Sequence, residues 1–446
     1  MNRQAPGLGT KILLVLTALL FLSGCGAISR LTASTKDKLP GQRVDVQLQP
    51  SLLSDQRSNV PVQIDGADPK AFWSQSGANA QHKIPHIATD RSLSRLWSKD
   101  IGSGTSRKYT SLAEPLIIGN VIFTMDSTSV VRAISLRSGS NIWSKNVRST
   151  REKDGFFGGG ITYDGSRIFV TTGFSQVLAL NAKSGQIIWR KGLTAPARSA
   201  GTVSNGRLFV QTVDNKITAY STADGRGLWR HSGTIEQTGI IGTASPAVAG
   251  DTVVAVFSSG EIFALSATDG SEKWSDTMAS LSGGGLLTEL NDIRAHPVID
   301  NGQLILVSNA GRTAVFNLAR GTQIWQTPIG GSQTPVVSGN QIFVMGTGAE
   351  LTALNRQTGQ VSWQKRMKNL VPKRFSPDVP LAWFGPLLAG NKLIVVSAEG
   401  QMISVNPVTG RTVASEKIGG KAVLNPVGSA GFVLFTTSRG RLVAYR

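Results

Sequence analysis

The residues of this chain that could act on a substrate are few and poorly clustered. There are four histidines and one cysteine in 446 residues. His82 and His86 have the i, i+4 spacing that presents two imidazoles from one helix face to a metal, but Pro85 between them breaks such a helix. The histidines therefore read as scattered surface residues, and no metal is expected. Gly158-Gly159-Gly160 and Gly283-Gly284-Gly285 have the composition of phosphate-cradling loops. Neither is followed by Lys-Ser/Thr or set between a strand and a helix, so both read as flexible linkers. Residue order alone assembles no Ser, His and Asp constellation, and no acidic run has the spacing of a calcium loop. Only Cys25, at the end of an apolar stretch, is chemically singular.

The elements around Cys25 say what is done to it. Arg3 and Lys11 flank an apolar core, Ile12 to Leu22, of the length of a signal peptide and too short for a membrane-spanning helix of roughly 20 residues. Leu22-Ser23-Gly24-Cys25 resembles the bacterial lipobox, which implies acylation of the Cys25 sulfur and cleavage that makes Cys25 the mature N-terminus. Gly26, in place of the aspartate that retains such proteins on the inner membrane, implies sorting to the outer membrane. Residues 1–24 are thus expected to be a leader and 25–89 a lipidated tether. Within the tether, Pro69 to Gly77 could dock through Phe72 and Trp73. With its only cysteine lipidated, the body can form no internal disulfide and must draw its stability from its core.

The body is a repeat. A short polar residue, Gly, three residues and Trp recur at Gly139…Trp143, Gly185…Trp189, Gly225…Trp229, Gly270…Trp274, Gly321…Trp325 and Gly359…Trp363, then decay at Gly410…Ala414. The Trp-to-Trp intervals are 46, 40, 45, 51 and 38, the period of a propeller blade. Separate β-sandwiches would each need about 100 residues. Within each unit, apolar β-branched segments alternate with turn residues such as Asp164-Gly165 and Ser184-Gly185, which predicts a four-stranded antiparallel meander. Eight first strands can be counted, from Glu114-Pro115-Leu116 to Asn425-Pro426-Val427. The eighth unit ends at Arg446 without a fourth strand, while Ser94 to Ser98, around Trp97, looks like an orphan fourth strand. The fold expected for residues 90–446 is therefore all-β: an eight-bladed β-propeller closed by pairing the Trp97 strand with the C-terminal blade.

In such a ring, the connections from the fourth strand of one blade (D) to the first of the next (A) share one face with the B–C hairpins. The long connections, 144–160, 275–295 and 364–384, are all of the D-to-A type, and variable loops on a rigid scaffold are where binding sits. The 364–384 loop sets Lys365, Arg366, Lys368, Lys373 and Arg374 among Phe375, Trp383 and Phe384. It reads either as a loop for a partner or anionic lipid, or as a solvated loop with its aromatics tucked into the blades. The net charge is +19, from 46 Lys and Arg against 27 Asp and Glu. An exported protein with its basic residues spread over every blade suits anionic headgroups or an acidic protein face better than nucleic acid.

Lipobox, tether and eight repeats together resemble the BamB family of outer membrane assembly lipoproteins, over essentially the whole chain. Glu152-Lys153-Asp154-Gly155-Phe156-Phe157 resembles that family's run between the first two blades. Ile241 to Pro246 sits where the family has Arg-Gly-x-Ser-x-Pro, and Leu290 to Pro297 where it has Asp-x-Asp-x-x-Pro. The resemblance implies a non-catalytic scaffold on the periplasmic face of the outer membrane, without a cofactor. Its partners would be the barrel-forming subunit BamA and, transiently, barrel precursors. It also implies partner contacts at Thr238, Ile240, Ile241, Asp292 and Arg294. The match there is partial: Asp292 keeps the first acidic position, Arg294 replaces the second, Ile241 replaces the Arg, Ile240 stays apolar and Thr238 does not. An envelope lipid- or polymer-binding propeller is the alternative. A quinoprotein dehydrogenase, built from similar repeats, would need calcium and quinone ligands that the sequence does not supply.

Overall fold

The computed structural model describes residues 57–90, 92–106, 113–148, 159–197, 199–234, 244–278, 293–373 and 377–446. They form eight four-stranded antiparallel sheets and one short two-stranded hairpin. The second blade shows why these residues make these strands. Gly159–Tyr163, Arg167–Thr172, Gln176–Asn181 and Ile187–Gly192 pair in chain order as strands A to D. Strands B and C bury Ile168, Phe169, Val170, Leu178 and Leu180 between neighbouring blades, a use that suits branched and aromatic side chains. The outer strand turns its polar residues to solvent.

The ring closes as expected. Val427–Ser429, Phe432–Thr436 and Arg441–Tyr445 supply strands A to C of the eighth blade, and Arg95–Asp100 from the other end supplies strand D. Trp97 lies opposite Ala444 in that pairing. The first strand in chain order and the last share one sheet, so no lateral edge remains for another blade.

One contact repeats at the blade joints. The indole N–H of each D-strand Trp donates to a carbonyl in the C–D turn of the next blade: Trp97 to Leu136 at 3.0 Å, Trp189 to Thr222 at 3.1 Å and Trp274 to Leu318 at 2.7 Å. Trp143, Trp229, Trp325 and Trp363 do the same with Ala182, Ala267, Arg356 and Pro407. The ring itself lies on the glycine of that turn. A Cβ on Gly225 would come within 2.7 Å of Trp189, and Gly225 has a φ of +70°, so glycine is required there twice over. The repeated Gly-x-x-x-Trp phrase is thus one half of two joints, its Gly receiving the previous blade's indole and its Trp reaching the next blade.

A β-bulge aims each indole. In all eight blades the C–D register slips by one residue next to the Trp or its equivalent, as between Ala179–Trp189 and Leu180–Ile187. The extra residue, Ile188 in this blade, is left unpaired and half exposed, and the local kink turns Trp189 inward.

Of the two residues expected to dock, Trp73 is buried and Phe72 stays exposed, and the segment before the first strand is bound to the ring at many further points. Trp73 exchanges backbone hydrogen bonds with Ile117 of blade 1, and the Ser74 carbonyl accepts from Tyr163 of blade 2. The Gln75 side chain pairs with the Val203 backbone of blade 3. Carbonyls of Ala80 and Gln81 accept from Val248 and Ile299 of blades 4 and 5. Gln63 and Asp65 bond Asn340 and Ser338 of blade 6, Ile87 pairs with Leu388 of blade 7, and Ser429 of blade 8 donates to Ala71. Lys83 adds an ion pair with the buried Asp300 at 2.8 Å. These partners lie on the inner strands toward their A–B turns, so the segment is a plug across that end of the channel.

Two tests follow from these contacts. Trp73 is 1% exposed and its neighbour Phe72 is 58% exposed. Trp73→Ala is expected to cost about 3–5 kcal/mol in denaturant unfolding, and Phe72→Ala at most about 0.5 kcal/mol. Equal effects would mean the plug does not seal the channel. At the blade 2–3 joint, Gly225→Ala is expected to cost about 2–5 kcal/mol, from left-handed backbone and overpacking. Combined with Trp189→Ala it should cost clearly less than the sum, because the overlap is already gone.

Candidate functional site

With the A–B end plugged, the described residues leave a funnel-shaped hollow toward the D-to-A side. A cavity of about 330 Å³ lies there, at the lower end of small-ligand sites. Its wall is built by residues just ahead of the inner strands: Glu114 before blade 1, Ser199 and Ala200 before blade 3, Arg294 and His296 before blade 5. Ser332 and Gln333 come from blade 6, Ala382 and Phe384 from blade 7, and Val423, Leu424 and Asn425 from blade 8. Ser76 of the plug forms part of its floor. Thr202, on the inner strand of blade 3, donates to the Pro246 carbonyl at 2.6 Å, and the Gly385 N–H donates to Asn425 Oδ1 at 2.7 Å. The wall is thereby stitched from blade to blade.

A hydrogen-bonded chain runs through the floor. The Ser245 N–H donates to His296 Nδ1 at 2.9 Å, which puts the imidazole proton on Nε2. Nε2 in turn donates to Ser76 Oγ at 2.9 Å, and the Ser76 hydroxyl donates to Glu114 Oε2 at 3.3 Å. The Gly77 N–H reaches the same carboxylate oxygen at 3.1 Å. Burial holds the His296 pKa down to about 4, so the ring is neutral at physiological pH. Burial also lowers His82, whose ring lies 4.8 Å from that of His296, and the charge of His296 would add to the effect. Burial raises Glu114, against the opposing pull of Gly77, Ser76 and Asn425.

A serine and a histidine at this distance invite a nucleophile reading, but the polarity is reversed. The nitrogen facing Ser76 already carries a proton and the other is filled by Ser245, so His296 cannot act as base toward Ser76. The chain latches the plug to the wall. Among the described residues, no group of three or more His, Cys, Asp or Glu could hold a metal.

Of the partner-contact positions expected from sequence, only Arg294 falls among the described residues. It is half-buried and lines the funnel, beside His296, instead of standing on the outer rim. Cys25, Thr238, Ile240, Ile241 and Asp292 lie outside the described residues. The surface reading of the histidines is corrected. His82 and His86 are buried, donating from Nδ1 to the carbonyls of Pro297 and Asp65, because both belong to the plug. Glu114, His296 and Asn425 were missed, although a polar residue directly before the first-strand proline recurs at all three.

The 364–384 loop folds back on itself. Leu370–Val371 pairs with Val379–Pro380, Trp383 is buried and donates to the Lys368 carbonyl at 2.8 Å, and Phe384 reaches the funnel. Its described aromatics are tucked in. Lys368 and Lys373 stay exposed beside the exposed Leu370 and Val379.

Fold and site together define a class: a propeller of eight PQQ-like repeat blades, plugged across the A–B end of its channel. The profile of the family described as outer membrane protein assembly factor BamB matches residues 127–365, more than half of the chain, and the chain belongs to that family. The Yersinia pestis protein of that name is 24% identical over 380 residues, 84% of this chain and 94% of its own. An uncharacterized protein of Rickettsia conorii is 30% identical over 207 residues, 45% of this chain, which spans about half of that relative's length. The crystal structure of BamB from Moraxella catarrhalis superposes with a TM-score of 0.67 at 19% identity, covering 80% of this chain and all of that one. A europium-containing methanol dehydrogenase reaches 0.66 at 14% identity, over 84% and 89% of the two chains. At those identities the likeness is one of fold.

The buried histidines make a pH prediction. An unfolded His binds its proton near pH 6.5, whereas His296 in the folded ring does so only near pH 4. Between those values the unfolded state holds more protons, so stability falls as pH drops, by about 3 kcal/mol for His296 alone. Glu114, with its raised pKa, acts oppositely, because its burial favours the folded state as it protonates. Denaturant unfolding from pH 7 to 4 should therefore show a shallower loss in His296→Gln than in the parent. Parallel curves would mean that His296 is not held neutral.

Proposed function

We propose that this chain is a non-catalytic scaffold of the outer membrane β-barrel assembly machinery, held at the periplasmic face of the outer membrane through acylated Cys25. It docks the barrel-forming subunit BamA on its D-to-A face and assists folding and insertion of barrel precursors. Membership of the family supports the role. The observation that carries the choice of face is the plug. Residues 63–87 occupy the A–B end of every inner strand, which favours the D-to-A end, with its long crossovers, as the docking end. In sequence, Thr238, Ile240, Ile241, Asp292 and Arg294 all fall between a D strand and the next blade's A strand. A reversed Ser76–His296 pair supports a binding role over a hydrolytic one.

Co-purification of the assembly complex from detergent extracts tests this reading. The wild-type chain should recover BamA. Ile240→Glu and Asp292→Lys should each reduce recovery at least about tenfold, since buried anchors and charge pairs at interfaces are worth about 1.4 kcal/mol or more. Unchanged recovery in both would overturn the site, and absence of BamA from the wild-type extract would overturn the role.

A further inference from the structure

The funnel is more than the hollow left by a ring. We infer that it is a binding site for a carboxylate presented next to an apolar side chain by a polypeptide, with Arg294 as the anion-binding residue. This rests on the reading of the D-to-A face as the docking face and names what that face receives.

Charge selects the ligand class. The cavity holds two ionisable groups of opposite sign, and their situations differ. Glu114 is already satisfied by the Gly77 N–H and the Ser76 hydroxyl, with the Asn425 amide also favouring its charge. His296 is neutral and committed at both nitrogens. Arg294 is half-buried on the wall and has no carboxylate within ion-pair distance among the described residues. A guanidinium partly withdrawn from water is the group that gains most from a carboxylate, through paired charge-assisted hydrogen bonds. An ammonium ligand would meet that cation and find Glu114 already occupied.

The wall selects the rest. Ala200, Ala382, Phe384, Val423 and Leu424 supply apolar surface, while Ser332 and Gln333, hydrogen-bonded to each other, add a polar edge. That mixture suits the backbone and one apolar side chain of a peptide. At about 330 Å³, and with polar groups on several sides, the cavity suits an acyl chain poorly. The closed floor matters too: Ser76 is tied to His296 and Glu114, so a chain seated here cannot thread through. Two polypeptide sources share this chemistry, a chain's C-terminal residue and an acidic side chain at a loop tip.

The experiment uses the full-length mature chain in detergent and three blocked peptides, with binding followed by calorimetry. They are acetyl-Ala-Ala-Leu with a free carboxylate, the same peptide as its C-terminal amide, and acetyl-Ala-Glu-Leu-Ala-amide. The free-carboxylate peptide should bind about 10–100-fold more tightly than the amide, the worth of a hydrogen bond to a charged group. Arg294→Gln should remove that difference and leave the amide's weak binding unchanged, while Arg320→Gln, in an exposed turn, should change nothing. Binding of the internal-Glu peptide as tightly as the free carboxylate would assign a loop acid, and its failure a chain terminus; either supports the inference. The acid-versus-amide comparison needs no variant and stands even if Arg294→Gln misfolds. Equal affinity of acid and amide, or no binding of either, would overturn the funnel site. If BamA still co-purifies in that case, the docking face survives and only the funnel inference is lost.

Discussion

The architecture depends on the joint between one blade's tryptophan and the next blade's glycine. A single four-stranded sheet cannot bury both of its faces, so each blade is stable only against its neighbours. The indole supplies both parts of that contact, a large apolar surface worth roughly 4–6 kcal/mol on burial and one directed hydrogen bond that sets the angle between sheets. Seven tryptophans make the joint, from Trp97 to Trp363. The last D strand has Ala414 in place of the aromatic. That joint leads to blade 8, which pairs the first and last strands of the chain, so the seam without a tryptophan adjoins the sheet that closes the ring. Phe435 and Tyr445, packed edge to face at 5.4 Å in that blade, supply aromatic mass there instead.

The bulge beside each tryptophan has a second consequence. A propeller exposes eight outer edge strands, each with free backbone groups that invite pairing with an extended chain. Here every one is kinked at the residue before the Trp or its equivalent, and most of the residues so displaced, including Ile142, Ile188, Leu228 and Ile324, are exposed and apolar. A kinked edge pairs poorly along its length. The same device that turns the indole into the joint therefore disfavours strand addition at the rim.

The sequence carried the ring because the ring is made of local, repeated events: a turn that needs Gly185, strands that need Ile168 and Val170, an indole every 40 or so residues. The plug was not legible in the same way. Residues 63–87 have no period, and their hydrogen bonds go to carbonyls and amides of eight blades remote in sequence. That is why His82 and His86 read as surface residues and proved buried. The funnel lies between these cases. Arg294 drew attention through family resemblance, while Glu114, His296 and Asn425 sit at one repeat position, before the strand A proline, where a polar residue has no strand to stabilise. Only closure of the ring brings them to a common axis.

The plug also gives the molecule a direction that its near-symmetric ring lacks. Eight similar blades present eight similar A–B turns on one face and eight crossovers on the other, and neither face is closed by the blades themselves. Threading one segment across the A–B ends consumes their inner backbone groups, as with Val248 and Ile299, and anchors it through Lys83 to Asp300. It also delivers Ser76 to the funnel floor. A ligand seated against Arg294 would therefore rest on the plug as well as on the blades. The His296–Ser76–Glu114 chain ties the plug to the blade wall directly beneath that position, so the floor of the hollow and the seal of the other end are one hydrogen-bonded unit.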